Sequence, residues 1–235
     1  MNTTKILSFL QNIEANNNRE WFQKHKDEYM ECRTSFDEGV LKAITALSEI
    51  DPSVAHLGVK DCTYRFNRDT RFSPNKDPYK NHLGAFICMN GRKSLCGGYY
   101  LHLEKGKSVV AVGSYYLPTN ILTACRNEIM ANIDEWRSCV ENKAFVDLFG
   151  TPNHSKWEDD SVNGFGMEAL KTCPKDFPRD YPFLHYLRMK DYCAWIKVSD
   201  TFFEGDNWVN SLVEIAKVGK PMMDFMNSVI ADYEP

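Results

Sequence analysis

Near residue 59 the period of the apolar pattern changes from that of a helix to that of a strand, and after Pro118 it changes back. Ile6, Leu7, Leu10 and Ile13 share one helical face. Phe22, Tyr29, Phe36, Val40, Ile44 and Leu47 continue a longer stripe that Asp51-Pro52 ends. From Val59 onward, Cys62, Tyr64 and Phe66 fall on one face of an extended segment and Thr63, Arg65 and Asn67 on the other. Helices, a meander of strands and helices again predict an α+β fold. Its centre is an antiparallel sheet of about four to five strands, with N-terminal and C-terminal helices packed on it. The pattern reads as a single domain over residues 1–235: a helical part at 1–55, the sheet at 59–116 and a second helical part at 118–235.

Local signals refine this. Thr3 or Thr4 is expected to cap the first helix and Asn18 the second, with a bend in the long stripe near Ser35. Strands are expected at 82–89, 95–103, 108–115 and 194–198, and Asn90-Gly91 predicts a two-residue type I′ turn between the first two. On the second of these strands Tyr100, His102 and Glu104 share one face, and Tyr99, Leu101 and Leu103 the other. Residues 150–166 read as a polar surface loop that includes Gly164-Phe165-Gly166, and residues 173–178 as extended. Two final helices, 208–218 and 221–230, are expected to break at Gly219-Lys220-Pro221.

Composition narrows the function classes. A length of 235 residues supports a substantial core, and 43% apolar with 13% aromatic residues is globular. The formal net charge of −4 argues against nucleic acid as a partner, since a basic footprint is missing overall. No run approaches the roughly 20 apolar residues that cross a bilayer, so no membrane partner is expected. The N-terminal segment is mixed in character, unlike a secretion signal. The eight cysteines are scattered, with no Cys-x-x-Cys and no zinc-type spacing, and read as reduced thiols of a cytoplasmic protein. No metal and no cofactor is expected: the phosphate-loop, dinucleotide and His-Glu-x-x-His patterns are all missing.

Against that acidic background one stretch is basic. Arg65, Arg68, Arg71, Lys76 and Lys80 face only Asp69 and Asp77 between residues 64 and 82, and Pro74 and Pro78 stiffen the segment. Guanidinium forks suit carboxylate and phosphate, and a rigid loop loses little entropy on binding. With Tyr79, and with Arg19 and Trp21 at the start of a helix capped by Asn18, these residues form the expected binding set for an anionic small molecule. Asp69, His82, His102 and Glu20 are the acid/base candidates should a reaction occur. Two alternatives stand beside this. An open, extended patch would serve a nucleic-acid or phosphoprotein binding module. Arginines paired internally with Asp69 and Asp77 would be structural staples in an interaction or scaffold domain.

Several motifs carry a family likeness. Asn17-Asn18-Arg19-Glu20-Trp21-Phe22 with Tyr29, then Arg68-Asp69-Thr70-Arg71-Phe72-Ser73 with Lys76 and Pro78-Tyr79-Lys80, are the longest. Gly98-Tyr99-Tyr100-Leu101-His102-Leu103, Gly113, Pro118, Arg126, Leu170, Pro174-Lys175, Phe177 and Lys190 follow in order. Together they resemble the bacterial and fungal proteins grouped as domain of unknown function 2461, over nearly the whole chain. The resemblance implies an α+β domain of cytosolic proteins and implies no activity. The chain departs from the pattern at Asn75, where the family carries an aspartate, so no carboxylate stands there.

Overall fold

The structure is a computed structural model that describes residues 1–154 and 163–234. It is α+β, as the change of period predicts. The chain opens with helices α1 (Thr3–Ala15), α2 (Arg19–Lys24), α3 (Lys26–Ser48) and the short α4 (Val59–Cys62). Strands β1 (Leu83–Ile87), β2 (Gly98–Leu103) and β3 (Val109–Ser114) follow. Next come α5 (Thr119–Ala131), α6 (Ile133–Val140), α7 (Lys143–Phe149), β4 (Gly164–Phe165), α8 (Leu184–Leu187), β5 (Tyr192–Lys197) and α9 (Trp208–Ile230). The five strands form one antiparallel sheet in the order β1-β2-β3-β5-β4.

The alternation along each strand sorts the side chains. Ala85, Tyr99, Leu101, Val110, Val112 and Ala194 face the main core, where α9 crosses β3 and β5 and α3 lies against β1. Val109, Ala111, Cys193 and Trp195 face the other way, with Met167 and Tyr100 beside them. This second face is covered too, since Val109, Ala111 and Trp195 are fully buried.

Local differences from the sequence expectation have identifiable causes. Asn2, one residue earlier than expected, caps α1 by accepting from the Lys5 N–H at 3.1 Å. Asn18 caps α2 through the Trp21 N–H at 2.9 Å, as its position predicts. The bend in the long stripe falls at His25, where its ring takes the Trp21 carbonyl, and not near Ser35. Residues 63–67 form no strand: Thr63 bridges to Ala85 of β1, Asn67 bridges to Tyr79 outside the sheet, and Arg33 takes the Tyr64 carbonyl at 3.0 Å in place of a neighbouring strand. The connection from β1 to β2 is the longer loop 88–97, not a two-residue turn. Only Gly91 adopts a positive φ there, while Glu234 takes the Leu95 N–H and Asn227 exchanges two hydrogen bonds with Gly97.

Gly164-Phe165 is strand β4, not loop: Phe165 is fully buried against Trp136 and Phe145 and pairs with Ala194. The part of the expected loop at 155–162 lies outside the described residues. Residues 173–178 turn, with Asp176 at φ 68°, where extended chain is expected. The last two helices are one. Leu212, Ile215, Ala216, Met222, Met223 and Met226 form a single buried face, and each large apolar side chain contributes roughly 1.5–3 kcal/mol. That sum outweighs the roughly 3 kcal/mol cost of Pro221 inside the helix.

Candidate functional site

The basic stretch folds as a looped excursion before β1. Its stem closes where the Arg68 N–H donates to the Pro78 carbonyl at 2.9 Å and the Lys80 N–H to the Phe66 carbonyl at 3.0 Å. Phe66 and Tyr79 anchor the stem in an aromatic cluster. Phe22 stacks on Tyr79 with ring centres 4.1 Å apart, and Tyr29 on Phe66 at 4.7 Å. The Asn17 side chain clamps the Tyr79 backbone from both sides, accepting its N–H at 3.1 Å and donating to its carbonyl at 3.0 Å. The N-terminal and central sequence signatures are thus one physical unit.

Within the loop the cations separate. Arg71 pairs with Asp69 through two contacts of 3.0 and 2.7 Å, and Arg65 lies 3.9 Å from the same carboxylate. The Arg71 hydrogen bonds hold the Asp69 carboxyl down at about 2. Arg68 reaches Ser73 at 3.4 Å and Asp77 at 4.0 Å, and Lys76 donates to the Thr70 carbonyl at 2.9 Å. Trp21 stacks on His25 at 3.8 Å, Glu20 pairs with Lys24 at 2.8 Å, and Arg19 is exposed. These side chains do not converge on one cavity. Arg68 lines a small cavity of about 280 Å³ with Glu14, Asn75, Asp77, Lys80 and His82.

Lys80 also lines a second cavity, of about 340 Å³, beside Ala111 and Cys193 of the sheet. Its floor is made by Gly98, Tyr100, Ala111, Gly113 and Cys193 from β2, β3 and β5, and its walls by Tyr64, Phe86, Leu95 and Tyr115. Arg92, from the loop 88–97, stands in the wall with its guanidinium on the Lys60 carbonyl. No aspartate or glutamate lines this cavity. Among the described residues neither Lys80 nor Arg92 has a carboxylate within ion-pairing distance. Tyr64 sits near both: the Lys80 ammonium is 5.2 Å from its ring centre, and the Arg92 charge opposes the upward push that burial gives its phenol. Burial, and then Arg65, lowers the Lys80 ammonium from its ordinary value.

His82 stands between the two cavities and stacks on His102, with ring centres 4.5 Å apart. Burial holds the His82 imidazole down at about 3, so its ring is neutral near pH 7. His102 Nδ1 is 2.9 Å from the Tyr100 hydroxyl, and its Nε2 is 3.0 Å from Glu104 Oε2. Room for the Tyr100 hydroxyl comes from Gly84, where a Cβ would lie 2.9 Å from it. Glu104 also accepts from Asn81 at 3.1 Å; burial pushes its carboxyl up, but the His102 hydrogen bond and the nearby charges together leave it lowered.

A third cavity, of about 660 Å³, is lined by Pro118, Arg126, Leu170, Lys175 and Lys190, all residues of the family likeness. The Arg126 guanidinium is buried there, donates to the Met189 carbonyl at 2.9 Å and is pushed down by burial.

Arg92, Tyr64 and Tyr115 are missing from the sequence-derived set. Strand alternation already places Tyr100 on the non-core face, but nothing in the sequence brings the loop after Gly91 beside Lys80. No curated protein and no solved structure matches the chain significantly. Residues 5–225 match the family described as conserved hypothetical protein (DUF2461), and the chain belongs to that family.

Proposed function

We propose that the chain binds a small molecule with an anionic group and a flat apolar body, in the cavity bordered by β2, β3 and β5. The observation that carries this reading is that Lys80 and Arg92 both line a cavity whose lining includes no acidic side chain. Burial disfavours the Lys80 ammonium and Arg65 repels it, and an anion in the cavity would offset both. The aromatic walls Tyr64, Phe86 and Tyr100 give a planar body surface to stack on. At about 340 Å³ the space suits a compact ligand such as an aromatic carboxylate or a small phosphoester. Arg65 and Arg71, tied to Asp69, fit the stapling role better than the binding role. All eight cysteines are unpaired and seven are buried, which supports a reducing, cytoplasmic setting. No helix among the described residues is long and apolar enough to cross a membrane.

The test is a thermal-shift screen of inorganic phosphate, sugar phosphates, nucleotides and aromatic carboxylates, run on the parent and on Lys80→Met, Arg92→Met and Arg71→Ala. A ligand at 100 times its Kd adds roughly 2.7 kcal/mol and raises Tm visibly. The expected result is a rise that survives Arg71→Ala and is lost in the other two variants, each folded by circular dichroism. A rise unaffected by Lys80→Met and Arg92→Met, or no rise with any of these anions, overturns the reading.

A further inference from the structure

We propose that His82, His102 and Glu104 form a binding site for a first-row divalent metal ion, with zinc as the best match. Each residue offers one ligand atom, and the three atoms lie within 4.8 Å of one another. Ligands about 2 Å from a zinc ion stand roughly 3–4 Å apart; His102 Nε2 and Glu104 Oε2, 3.0 Å apart, already do, and His82 closes on the ion by a small side-chain movement.

The surroundings are built for coordination. The Tyr100 hydroxyl on His102 Nδ1 orients the ring so that Nε2 points at Glu104. Asn81 lies 3.3 Å from His82 Nδ1 through its side-chain oxygen and holds the second carboxylate oxygen of Glu104 through its amide nitrogen. One imidazole face stacks on the other, so the rings support each other's orientation. Outer partners of this kind fix tautomer and aim in metal sites. The ion would take the place of the hydrogen shared between His102 Nε2 and Glu104 Oε2; that proton moves to His102 Nδ1 and is donated to the Tyr100 oxygen, so the ring binds as a neutral imidazole.

Two imidazoles and one carboxylate are borderline donors that favour zinc or its neighbours over magnesium or calcium. Three protein ligands leave a fourth position, the arrangement of sites that exchange water or substrate. His82 borders both the cavity of about 340 Å³ and the one of about 280 Å³, so that position has two routes of access. Lys107 lies 3.8 Å from Glu104, and Lys80 and Arg68 stand on the His82 side; these charges leave the occupied site net positive. The proposal does not depend on which anion, if any, enters the larger cavity.

The experiment is titration of the chelator-treated full chain with zinc by calorimetry, together with cobalt substitution followed by visible absorption. The parent is expected to take up one equivalent and, with cobalt, to show the intense d–d bands of a four-coordinate site without thiolate charge-transfer bands. His82→Gln and Glu104→Gln, which keep size and hydrogen bonding at partly buried positions, are expected to weaken zinc binding by more than about 100-fold. Tyr100→Phe is expected to weaken it by about 10-fold, as for other outer partners. Failure of the parent to bind an equivalent, cobalt spectra dominated by thiolate bands, or binding unchanged in both His82→Gln and Glu104→Gln overturns the proposal.

Discussion

Asp69 grips Arg71 at two points, one carboxylate oxygen taking the Nε hydrogen at 3.0 Å and the other a terminal nitrogen at 2.7 Å. The same carboxylate accepts the Arg71 backbone N–H at 3.2 Å and sits 3.9 Å from Arg65. Two of the segment's three arginines are thereby held by one carboxylate. Because the pair is solvent-exposed, and exposed pairs contribute little, Arg71→Ala is expected to leave Tm unchanged. Asp69→Ala should instead release two guanidinium groups and lengthen retention on a heparin column, in a salt-dependent manner. Equal retention of parent and Asp69→Ala would show that the loop cations are held by something other than Asp69.

Asp191 predicts a pH dependence. Its carboxylate accepts the Met167 and Glu168 N–H groups at 3.0 Å, yet burial pushes it up to about 6. A raised carboxyl favours the protonated folded state, so its contribution is complete below the ordinary aspartate range and is lost as pH rises through about 6. The gap corresponds to roughly 3 kcal/mol. Asp191→Asn cannot ionise, so the difference in Tm between about pH 4 and about pH 7 should shift in favour of the higher pH relative to the parent. Identical pH profiles for the two proteins would rule out ionisation of Asp191 as the cause.

Gly164 lies flat on the indole of Trp195, where a Cβ would come within 2.0 Å of the ring. Trp195 is fully buried and cannot retreat. Gly164→Ala should therefore destabilise the chain by about 3 kcal/mol, the upper range for overpacking. Chemical denaturation of Gly164→Ala, Trp195→Ala and the double variant checks this. The double variant should be more stable than the sum of the single effects predicts.

Pro221 faces solvent inside α9 and cannot donate the helical hydrogen bond to the Lys217 carbonyl. Pro221→Ala restores that donor without touching the buried face. It should raise stability by about 1–2 kcal/mol, the helix gain less the added freedom of the unfolded chain. A lower midpoint in urea would mean that a bend at Pro221 seats α9 on the sheet.

Much of the fold was legible in the residues because it rests on local periodicity. The stripe from Phe22 to Leu47, the alternation of Tyr99, Leu101 and Leu103 against Tyr100 and His102, and the Asn18 cap each follow from a repeat or a short-range hydrogen bond. The local reading failed where a distant partner outbid it. Arg33 took the Tyr64 carbonyl that a neighbouring strand would have used, the core carried α9 through Pro221, and Phe165 joined the sheet because a hydrophobic pocket surrounds it. The site divides along the same line. Charge, count and spacing alone marked the stretch from Arg65 to Lys80 as basic, but whether a guanidinium is paired or open depends on which side chains the fold brings within a few ångströms. Only the tertiary structure set Arg71 on Asp69, brought Arg92 to the cavity that Lys80 lines, and stacked His82 on His102 beside Glu104. These are contacts between segments far apart in the chain, and short-range sequence pattern carries no term for them.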